Sequence, residues 1–489
     1  MFESDFLTLS AQSADAYRKL VEESAKIVCE SLPGVPYRGA SARELADSIS
    51  ADLLPDQGAA WDQITATLRT VVTNSVAVSH PLTAAHLHCP PLLASLVAEV
   101  AISALNQSMD SFDQAPTASV VEQKMVRWLC HEAGLPATAD GTFTTGGSQS
   151  NYMGLLLARD AFLKSQWNWS AQKSGLPPQA GRLRILCSEV AHFSVEKSAS
   201  QLGLGTDGVV RVEADEHFRM KPESLRDCLE SLQQQGLLPM AIVATAGTTD
   251  FGSVDPLPDI ARLARQSDAW MHVDAAYGGA LLFSDRYRER LAGIEAADSI
   301  SIDFHKLLWQ PIPCSASLLR DARHFDAIKL YADYLNPEAH EQEGIPNLVT
   351  TSLLTSRRFD ALKLWISFQA LGRGKLEAMI EQTISLANYT AEVVRQAVDL
   401  ELVSEPQLST VVFRYLPVDS GPDADRINAQ IPQSLFNSGI AVIGHTRVRG
   451  RQCLKLTCMN PIATEEDMKR LIELIRSEGQ RCSQVKSDC

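Results

Sequence analysis

The sequence lacks a hydrophobic run long enough to cross a membrane. Its longest apolar stretch, about residues 91–105, is interrupted by Glu99 and is shorter than a transmembrane helix requires. The first residues, MFESDFLTLSAQS, have no basic start followed by an apolar core, which argues against a secretory signal. We therefore expect a chain that does not enter the membrane.

Positive charge is also scarce. The 44 Lys and Arg are outnumbered by 59 Asp and Glu, and the resulting net charge of −15 argues against nucleic acid as a main partner. The ten cysteines have no regular spacing, and no two of them are separated by two residues. Such cysteines are expected to be reduced thiols, mostly buried, in a cytoplasmic protein.

What is present is typical of a globular protein, with 45% hydrophobic and 21% charged residues in 489. That length predicts two or three domains. We place an N-terminal helical segment at residues 1–90, a large domain at 91–355 and a small C-terminal domain at 356–489. No internal repeat or low-complexity run interrupts this division.

Alternating apolar runs and helical segments identify the large domain as α/β with a mostly parallel sheet. The strand-like runs are residues 184–187, 208–212, 240–245, 270–273 and 299–302. After about residue 360 the pattern changes to a long helix (359–371, then 375–399), short strands at 410–415 and 453–457, and a last helix from Glu465. That order predicts a smaller α+β domain.

A glycine turn opens an amphipathic helix in TTGGSQSNYMGLLLARD, residues 144–160. Unpaired N–H groups and the positive end of the helix dipole, beside Ser148 and Gln149, would suit a phosphate. The alternative is that a serine simply caps a helix after a glycine turn.

Three further polar residues follow strand-like runs, where ligands bind in open α/β sheets. His192 could stack on a flat aromatic ring, or only pack as a buried histidine. Asp274, in HVDAAYGG, could pair with a protonated pyridine nitrogen, or form a structural ion pair or a helix cap. Lys306, in IDFHKLLWQP, could form a Schiff base, or extend its amine to water.

The order of these groups is more specific than any one of them. A phosphate cradle, a stacking histidine, a strand-end aspartate and a lysine 32 residues after that aspartate supply one partner for each part of pyridoxal phosphate.

On these residues, above all HVDAAYGG followed by DFHK, the chain resembles the group II pyridoxal-phosphate-dependent amino-acid decarboxylases. The resemblance extends from His80 to about Leu474. HPLTAAHLHCP, NQSMDSFDQAP, IDFHKLLWQPI and YADYLNPE are most similar to the 2,4-diaminobutyrate decarboxylases and related bacterial aspartate decarboxylases. The resemblance implies the fold type I architecture of aspartate aminotransferase, with a seven-stranded, mostly parallel sheet.

The resemblance also implies a role for each candidate residue. Lys306 would bind the cofactor covalently, and Asp274 would hold the pyridine nitrogen. His192 would stack on one face of the ring, with Ala276 against the other. The remaining cofactor contacts would come from Ser148, Gln149 and His305 at the phosphate and from Thr249 nearby. Tyr334, on a mobile loop, would protonate the reacting carbon after carbon dioxide leaves.

Two departures from the family pattern bear on specificity. Asp303 stands where the family often has asparagine, so a cofactor contact there is left open. Lys455 stands where the glutamate enzymes carry an arginine, and a lysine lacks the two-pronged grip on a carboxylate. Diaminobutyrate is therefore the expected substrate, with aspartate, glutamate and cysteine sulfinate as alternatives.

The segment HLHC invites a comparison with metal sites. His86, His88 and Cys89 lack the spacing of a zinc site and a fourth ligand, so we expect no metal and assign both histidines to the substrate pocket by resemblance. The resemblance implies a homodimer as well, in which the N-terminal helical segment at residues 1–90 clasps the second subunit and the active site lies at the interface. The rival functions are another pyridoxal phosphate reaction on the same fold, such as transamination, and a non-catalytic scaffold.

Overall fold

The computed structural model describes residues 5–49, 51, 53–417 and 424–484, apart from the side chain of Glu341. In chain order the strands are β1 (Thr83–Ala84), β2 (Asp140–Thr144), β3 (Leu183–Ser188), β4 (Val209–Val212), β5 (Leu238–Thr245), β6 (Trp270–Asp274), β7 (Ser299–Asp303), β8 (Ser315–Leu319), β9 (Leu400–Leu402), β10 (Thr410–Tyr415), β11 (Val442–Val448) and β12 (Arg451–Thr457).

The α-helices are α1 (Ala11–Ser31), α2 (Ala42–Asp47), α3 (Trp61–Thr73), α4 (Leu93–Leu105), α5 (Pro116–Glu132), α6 (Gly147–Trp167), α7 (Ala171–Ser174), α8 (Ser194–Gln201), α9 (Pro222–Gln234), α10 (Leu257–Gln266), α11 (Glu338–Gln342), α12 (Ala361–Gln396), α13 (Ala424–Asn437) and α14 (Glu465–Gln484). Short 3-10 helices lie at Pro178–Arg182, Thr206–Gly208, Gly278–Phe283, Arg288–Leu291, Ile294–Ala296, Ala322–Ala327 and Leu348–Thr351.

Contacts divide the chain into two units. One contains residues 1–86, 389–403 and 411–489, and the other contains residues 87–388 and 404–410. The three-part division at residues 90 and 355 describes sequence segments and stays a prediction.

The larger unit is built on a seven-stranded sheet in the order β2-β8-β7-β6-β5-β3-β4. The five strands from β7 to β4 are parallel, whereas β8 runs antiparallel to both of its neighbours. Strands buried on both faces read as continuous apolar runs, and β5, LPMAIVAT, is buried from Met240 onward. The sheet confirms the predicted α/β class and its five predicted strands. The sequence analysis missed β2 and β8.

The smaller unit has a five-stranded sheet in the order β1-β11-β12-β10-β9. The pairing of β1 with β11 is parallel, and that of β11 with β12 is antiparallel. Helices α13 and α14 belong to this unit, as do α1, α2 and α3, so the helical character predicted for the N-terminal segment is confirmed. The break between the two predicted parts of the long helix, 359–371 and 375–399, is also present, because Gly372 in α12 has a non-helical φ of 70°.

Of the described helices, none is both long and apolar enough to cross a membrane. The nine cysteines in the described ranges are free thiols, and Cys29 on α1 is the exposed member of that set. Burial raises the pKa of Cys89, Cys130, Cys187 and Cys458 to about 12, so these thiols are kept in the unreactive protonated form.

Candidate active site

Three neighbouring parallel strands of the larger unit end in polar residues. Thr245, Asp274 and Asp303 are the last residues of β5, β6 and β7. A cavity of about 360 Å³ opens there, beside the start of α6. It is lined by Thr145, Gly146, Gly147, Ser148, Gln149, Asn151, His192, Thr245, Gly247, Thr249, Asp274, Ala276, Tyr277, Asp303, His305 and Lys306. Every cofactor-binding residue predicted from the sequence lies in this set.

The start of α6 forms one wall of the cavity. Among the described residues no side chain caps this helix, and its first residues, Gly147 and Ser148, with the positive end of the helix dipole, belong to the cavity lining. A Cβ atom on Gly147 would lie 3.0 Å from the Cβ of Ala276 and 3.1 Å from Oδ2 of Asp303. The glycine therefore leaves open a space that any larger residue would fill. The side-chain oxygen of Gln149 accepts hydrogen bonds from the backbone N–H and the hydroxyl of Thr145, both at 2.8 Å, and so closes the turn.

Asp274 is a buried carboxylate, 6% exposed, whose partners are neutral. Its Oδ1 accepts from the backbone N–H of Ala276 at 3.1 Å, and its Oδ2 accepts from the side-chain amide of Asn151 at 2.7 Å. Within the described ranges it forms no ion pair with a lysine or arginine. A buried charge needs an opposite charge nearby, so this carboxylate suits a positively charged nitrogen in the cavity.

His192 is held in one tautomer. Its Nδ1 accepts the backbone N–H of Ser194 at 3.3 Å and lies 2.9 Å from that residue's hydroxyl. The ring proton is therefore on Nε2. Burial is the largest influence on the pKa of His192 and lowers it; Asp274 opposes this and Lys306 reinforces it. The ring is thus neutral at pH 7.

The amine of Lys306 lies 2.9 Å from Oδ2 of Asp303, and Nε2 of His305 lies 3.6 Å from the same atom. Ser315 donates its hydroxyl proton to the other oxygen of Asp303 at 2.6 Å. Burial alone would raise the pKa of Asp303, but Lys306, then His305 and the hydrogen bond from Ser315, outweigh burial and lower it. Asp303 is therefore an ionised partner of the lysine.

The other predicted site residues do not line this cavity. Tyr334 is 88% exposed, on the segment between β8 and α12. His88 is also exposed. His86, which is exposed, and Lys455, which is buried, belong to the smaller unit.

The sequence analysis overlooked Asn151 and His272. His272 is fully buried, and its Nε2 lies 2.9 Å from Oδ1 of Asn151. A signal was available, because His272 and Asp274 are two residues apart on one strand and therefore point to the same face of the sheet. Asn151 becomes visible only when α6 is packed on that face.

Pyridoxal phosphate fits this set of residues. The start of α6 and the open space at Gly147 suit a phosphate. Asp274, which has only neutral hydrogen-bond donors in the described ranges, suits a protonated ring nitrogen. The hydroxyl of Thr245 is buried and has no hydrogen-bond partner among the described residues, which adds a polar group that a ligand could satisfy. The Lys306 amine lies on the same cavity.

The family model of the pyridoxal-dependent decarboxylase conserved domain matches residues 45–416. The chain belongs to the pyridoxal-dependent decarboxylase family. It is accordingly an amino-acid decarboxylase whose cofactor is pyridoxal phosphate, and the fold type predicted from the sequence is confirmed.

Two curated relatives match this chain over almost its whole length. L-2,4-diaminobutyrate decarboxylase of Acinetobacter baumannii is 39% identical over 96% of this chain and 94% of the relative. L-2,4-diaminobutyrate decarboxylase of Rhizobium meliloti (strain 1021) is 42% identical over 96% of this chain and 93% of the relative.

A solved structure agrees with these relatives. It is the glutamate decarboxylase domain of diaminobutyrate-pyruvate transaminase and L-2,4-diaminobutyrate decarboxylase from Vibrio parahaemolyticus. It is 38% identical, has a TM-score of 0.89, and covers 98% of this chain and 99% of its own.

Within the described part of this chain, no group of three or more His, Cys, Asp or Glu is arranged to hold a metal ion.

Proposed function

We propose that this enzyme removes the carboxylate of L-2,4-diaminobutyrate as carbon dioxide and releases 1,3-diaminopropane. The observation that carries the proposal is the identity of 39% and 42% to two diaminobutyrate decarboxylases over 96% of the chain. The substrate has two amino groups, and the one on Cα is the group that reacts at the cofactor.

Eight residues are proposed to hold the cofactor, and the cavity geometry supports each assignment. Lys306 binds it covalently through its amine, and Asp274 pairs with its ring nitrogen. His192 and Ala276 contact opposite faces of its ring. The other contacts are assigned to Ser148, Gln149 and His305 at the phosphate, and to Thr249.

Bound pyridoxal phosphate supplies an electron sink for the pair left behind when the bond from Cα to the carboxylate breaks. Asp274, a carboxylate with no cation of its own in the described ranges, keeps the ring nitrogen protonated. The neutral, oriented ring of His192 holds the cofactor plane without adding a positive charge. Lys306 would hold the cofactor through its amine, and Asp303, whose Oδ2 lies 2.9 Å from that amine, would stabilise the amine whenever it is free and protonated.

Tyr334 is proposed to supply the proton that replaces the carboxylate on Cα. It lies in LYADYLNPEAHEQEGIP, residues 330–346, a polar segment with two prolines and a glycine. Its high exposure supports a residue that reaches its target by loop closure, which would also exclude water from the reaction. The alternative is an ordinary surface connection in which Tyr334 only packs.

His86, His88 and Lys455 are proposed to contact the distal part of the substrate. A lysine could attract the side-chain carboxylate of aspartate, glutamate or the sulfinate of cysteine sulfinate, so these acidic amino acids form the second candidate substrate class. Lysine, however, is a point charge without the two-pronged fork of arginine, so Lys455 favours diaminobutyrate over glutamate as the substrate.

A panel of amino acids tests the substrate. The purified holoenzyme is assayed for carbon dioxide and amine with L-2,4-diaminobutyrate, aspartate, glutamate and cysteine sulfinate. We expect kcat/KM for diaminobutyrate to exceed that for every acidic substrate by at least about tenfold, since the proposal rests on the identity to two diaminobutyrate decarboxylases and a mismatched substrate group commonly costs that factor. Faster turnover of an acidic amino acid would reassign the substrate, and aldehyde or keto acid in place of amine would reassign the reaction.

A homodimer in the cytoplasm is proposed as the working form. Helix α4 carries exposed apolar residues at helical spacing, namely Leu93, Leu96, Val97 and Val100. An apolar stripe of this kind on a helix supports contact with a second copy, since twofold dimers are the commonest assemblies. The free thiols of the described cysteines support a reducing compartment.

A further inference from the structure

We propose that Asn151 and His272 are positioning residues, which aim the Asp274 carboxylate at the ring nitrogen of the cofactor. This inference rests on the proposed role of Asp274. It assigns functions to two residues that lie within segments discussed above, Asn151 in TTGGSQSNYMGLLLARD and His272 in HVDAAYGG, but that have been given no role so far. It depends on a chain of hydrogen bonds inside the larger unit.

The direction of each hydrogen bond in this chain is determined. A carboxylate only accepts, so the amide nitrogen of Asn151 must be the group that lies 2.7 Å from Oδ2 of Asp274. The amide oxygen of Asn151 then faces His272 and must accept a proton from its Nε2 at 2.9 Å. His272 is therefore protonated on Nε2, and its Nδ1 is an acceptor.

The far end of the chain agrees with that tautomer. The indole N–H of Trp270 donates to the hydroxyl oxygen of Ser299 at 2.8 Å, because an indole nitrogen can only donate. The Ser299 proton is then directed to Nδ1 of His272, also at 2.8 Å. Donors run from Trp270 through Ser299, His272 and Asn151 to Asp274 without a conflict, and such networks strengthen each member.

Asn151 also reaches the other cofactor partner. Its amide nitrogen has two protons, and the second is donated to the hydroxyl of Ser194 at 2.9 Å. Ser194 in turn lies 2.9 Å from Nδ1 of His192. One amide group therefore orients both the carboxylate proposed to pair with the ring nitrogen and the histidine proposed to stack on the ring.

The helix beside this chain is shaped to admit it. Gly154 on α6 lies where a Cβ atom would be 2.5 Å from Nδ1 of His272 and 3.0 Å from Oγ of Ser299. Glycine within a helix costs about 1 kcal/mol relative to alanine. The close approach of α6 to β6 and β7, which the hydrogen bonds require, gives that glycine its physical reason.

The charge balance favours a positioning role. His272 is fully buried, and burial lowers its pKa to about 4, so it donates as a neutral ring. The side chain that donates to the carboxylate is the neutral amide of Asn151, which His272 holds in place, so the charge of the carboxylate is left for the ring nitrogen of the cofactor. A cation in the place of His272 would compete with that nitrogen.

Three variants of the full-length enzyme test the inference: Asn151→Leu, His272→Leu and His272→Gln. Glutamine can present an N–H close to the place of Nε2, whereas leucine cannot. The measurements are the dissociation constant of pyridoxal phosphate from the apoenzyme, the pH dependence of the bound cofactor's absorbance, and kcat and KM for diaminobutyrate.

We expect both leucine variants to bind the cofactor about 10- to 100-fold more weakly and to lose a similar factor in kcat, with KM changed less than about threefold. Their bound cofactor should lose the proton on its ring nitrogen at lower pH. His272→Gln should recover most of the loss. A His272→Gln variant as impaired as His272→Leu would overturn the inference, because packing alone would then explain both.

Asp274→Ala separates this inference from the proposed function. If Asp274→Ala is impaired while both leucine variants match the wild type, the positioning role is wrong and the role of Asp274 stands. If Asp274→Ala itself binds cofactor and turns over normally, both are wrong. Should Asn151→Leu fail to fold, Asn151→Asp tests the same contact. It places a second carboxylate against Asp274, which must weaken cofactor binding at neutral pH. Unchanged binding in Asn151→Asp would equally overturn the inference.

Discussion

Lys306 and Asp303 form the shortest ion pair on the cavity, and their pairing bears on how a loss of the lysine should be interpreted. Removing one partner of a buried pair leaves the other charge uncompensated, which destabilises a protein by about 3–5 kcal/mol. His305 and Ser315 also contact Asp303, so the loss here should lie below that range.

Lys306→Ala should therefore abolish the covalent link to the cofactor and lower kcat by at least about 10³-fold, since the nucleophile is absent. Borohydride reduction followed by peptide mapping measures the link, which in the wild type should fall on the Lys306 peptide. Lys197→Ala, at an exposed position on α8, is the matched control and should keep both the link and the activity. A cofactor-linked peptide in Lys306→Ala would show that another lysine carries it.

His272 gives the wild type a specific sensitivity to acid. Its pKa of about 4 in the folded state lies below its ordinary value of 6.5, so the folded state binds fewer protons and unfolding takes one up. The stability contributed by the neutral ring is complete above pH 6.5 and is lost as the pH falls toward 4, by at most roughly 3 kcal/mol.

The test is urea unfolding of the apoenzyme between pH 4 and 7, for the wild type and His272→Gln. Glutamine does not titrate, so the free energy of unfolding should fall less steeply with acid in the variant. Parallel curves would mean that His272 titrates normally in the folded chain.

Sequence motifs located the cavity residues because each motif keeps its own groups close together, as DFHK does for Asp303, His305 and Lys306. Sequence motifs did not identify Asn151 and His272 as site residues, because their contact joins positions 121 residues apart in the chain. Neither residue type is unusual for its element, so only tertiary packing reveals the pair.

Among the elements, α6 packs closely on β6, with Gly154 facing His272. Gly154→Ala should gain about 1 kcal/mol in helix propensity but force a methyl group onto His272, whose two ring nitrogens are both hydrogen-bonded. Overpacking costs about 1–3 kcal/mol, so we expect a net loss of stability together with weaker cofactor binding. Gly374→Ala, in α12 with open space around it, is the control and should be neutral or stabilising. A Gly154→Ala enzyme that matched Gly374→Ala in both measurements would contradict the close packing.

The segment at residues 330–346 carries Tyr334, the proposed donor in the final proton transfer. Tyr334→Phe should still release carbon dioxide, but protonation of Cα would be slower. The unprotonated carbon could then react with dissolved oxygen. We therefore expect slower amine formation with some aldehyde and ammonia, measured by chromatography of the products. Tyr331→Phe, three residues away, should give clean amine. Wild-type amine formation without aldehyde in Tyr334→Phe would remove this tyrosine from the chemistry.

The elements predicted from sequence were those whose burial imposes a long apolar run, such as β5 and β6. β2, with the sequence DGTFT, and β8, with SASLL, are short and rich in small or polar residues, although they are almost entirely buried. Their partners are each other and β7, and neither local propensity nor periodicity specifies an antiparallel strand inserted beside a parallel set.

At the scale of the whole molecule, the exposed stripe on α4 leads to a prediction about assembly. Leu93 and Val97 are 81% and 68% exposed in the single chain. The double variant Leu93→Glu and Val97→Arg adds charges at a favourable helical spacing, so α4 itself should be preserved. We expect this enzyme to become monomeric in light scattering and to lose at least about tenfold in kcat, since the proposed active site is completed by the second copy.

Val398→Arg changes an equally exposed apolar residue outside helix α4 and should remain a fully active dimer. A Leu93→Glu, Val97→Arg enzyme with the mass and activity of the wild type would show that the α4 stripe is not the subunit contact.

The distribution of cysteines has a practical consequence for watching that assembly. Most of the described thiols are buried, and those with a pKa of about 12 do not react with maleimides at neutral pH, whereas Cys29 on α1 is exposed. Once Cys489, outside the described residues, is replaced by serine, brief labelling should direct a fluorophore mainly to the N-terminal helix. Enzyme carrying a donor dye, mixed with enzyme carrying an acceptor dye, would then report the exchange of subunits as energy transfer appears over time.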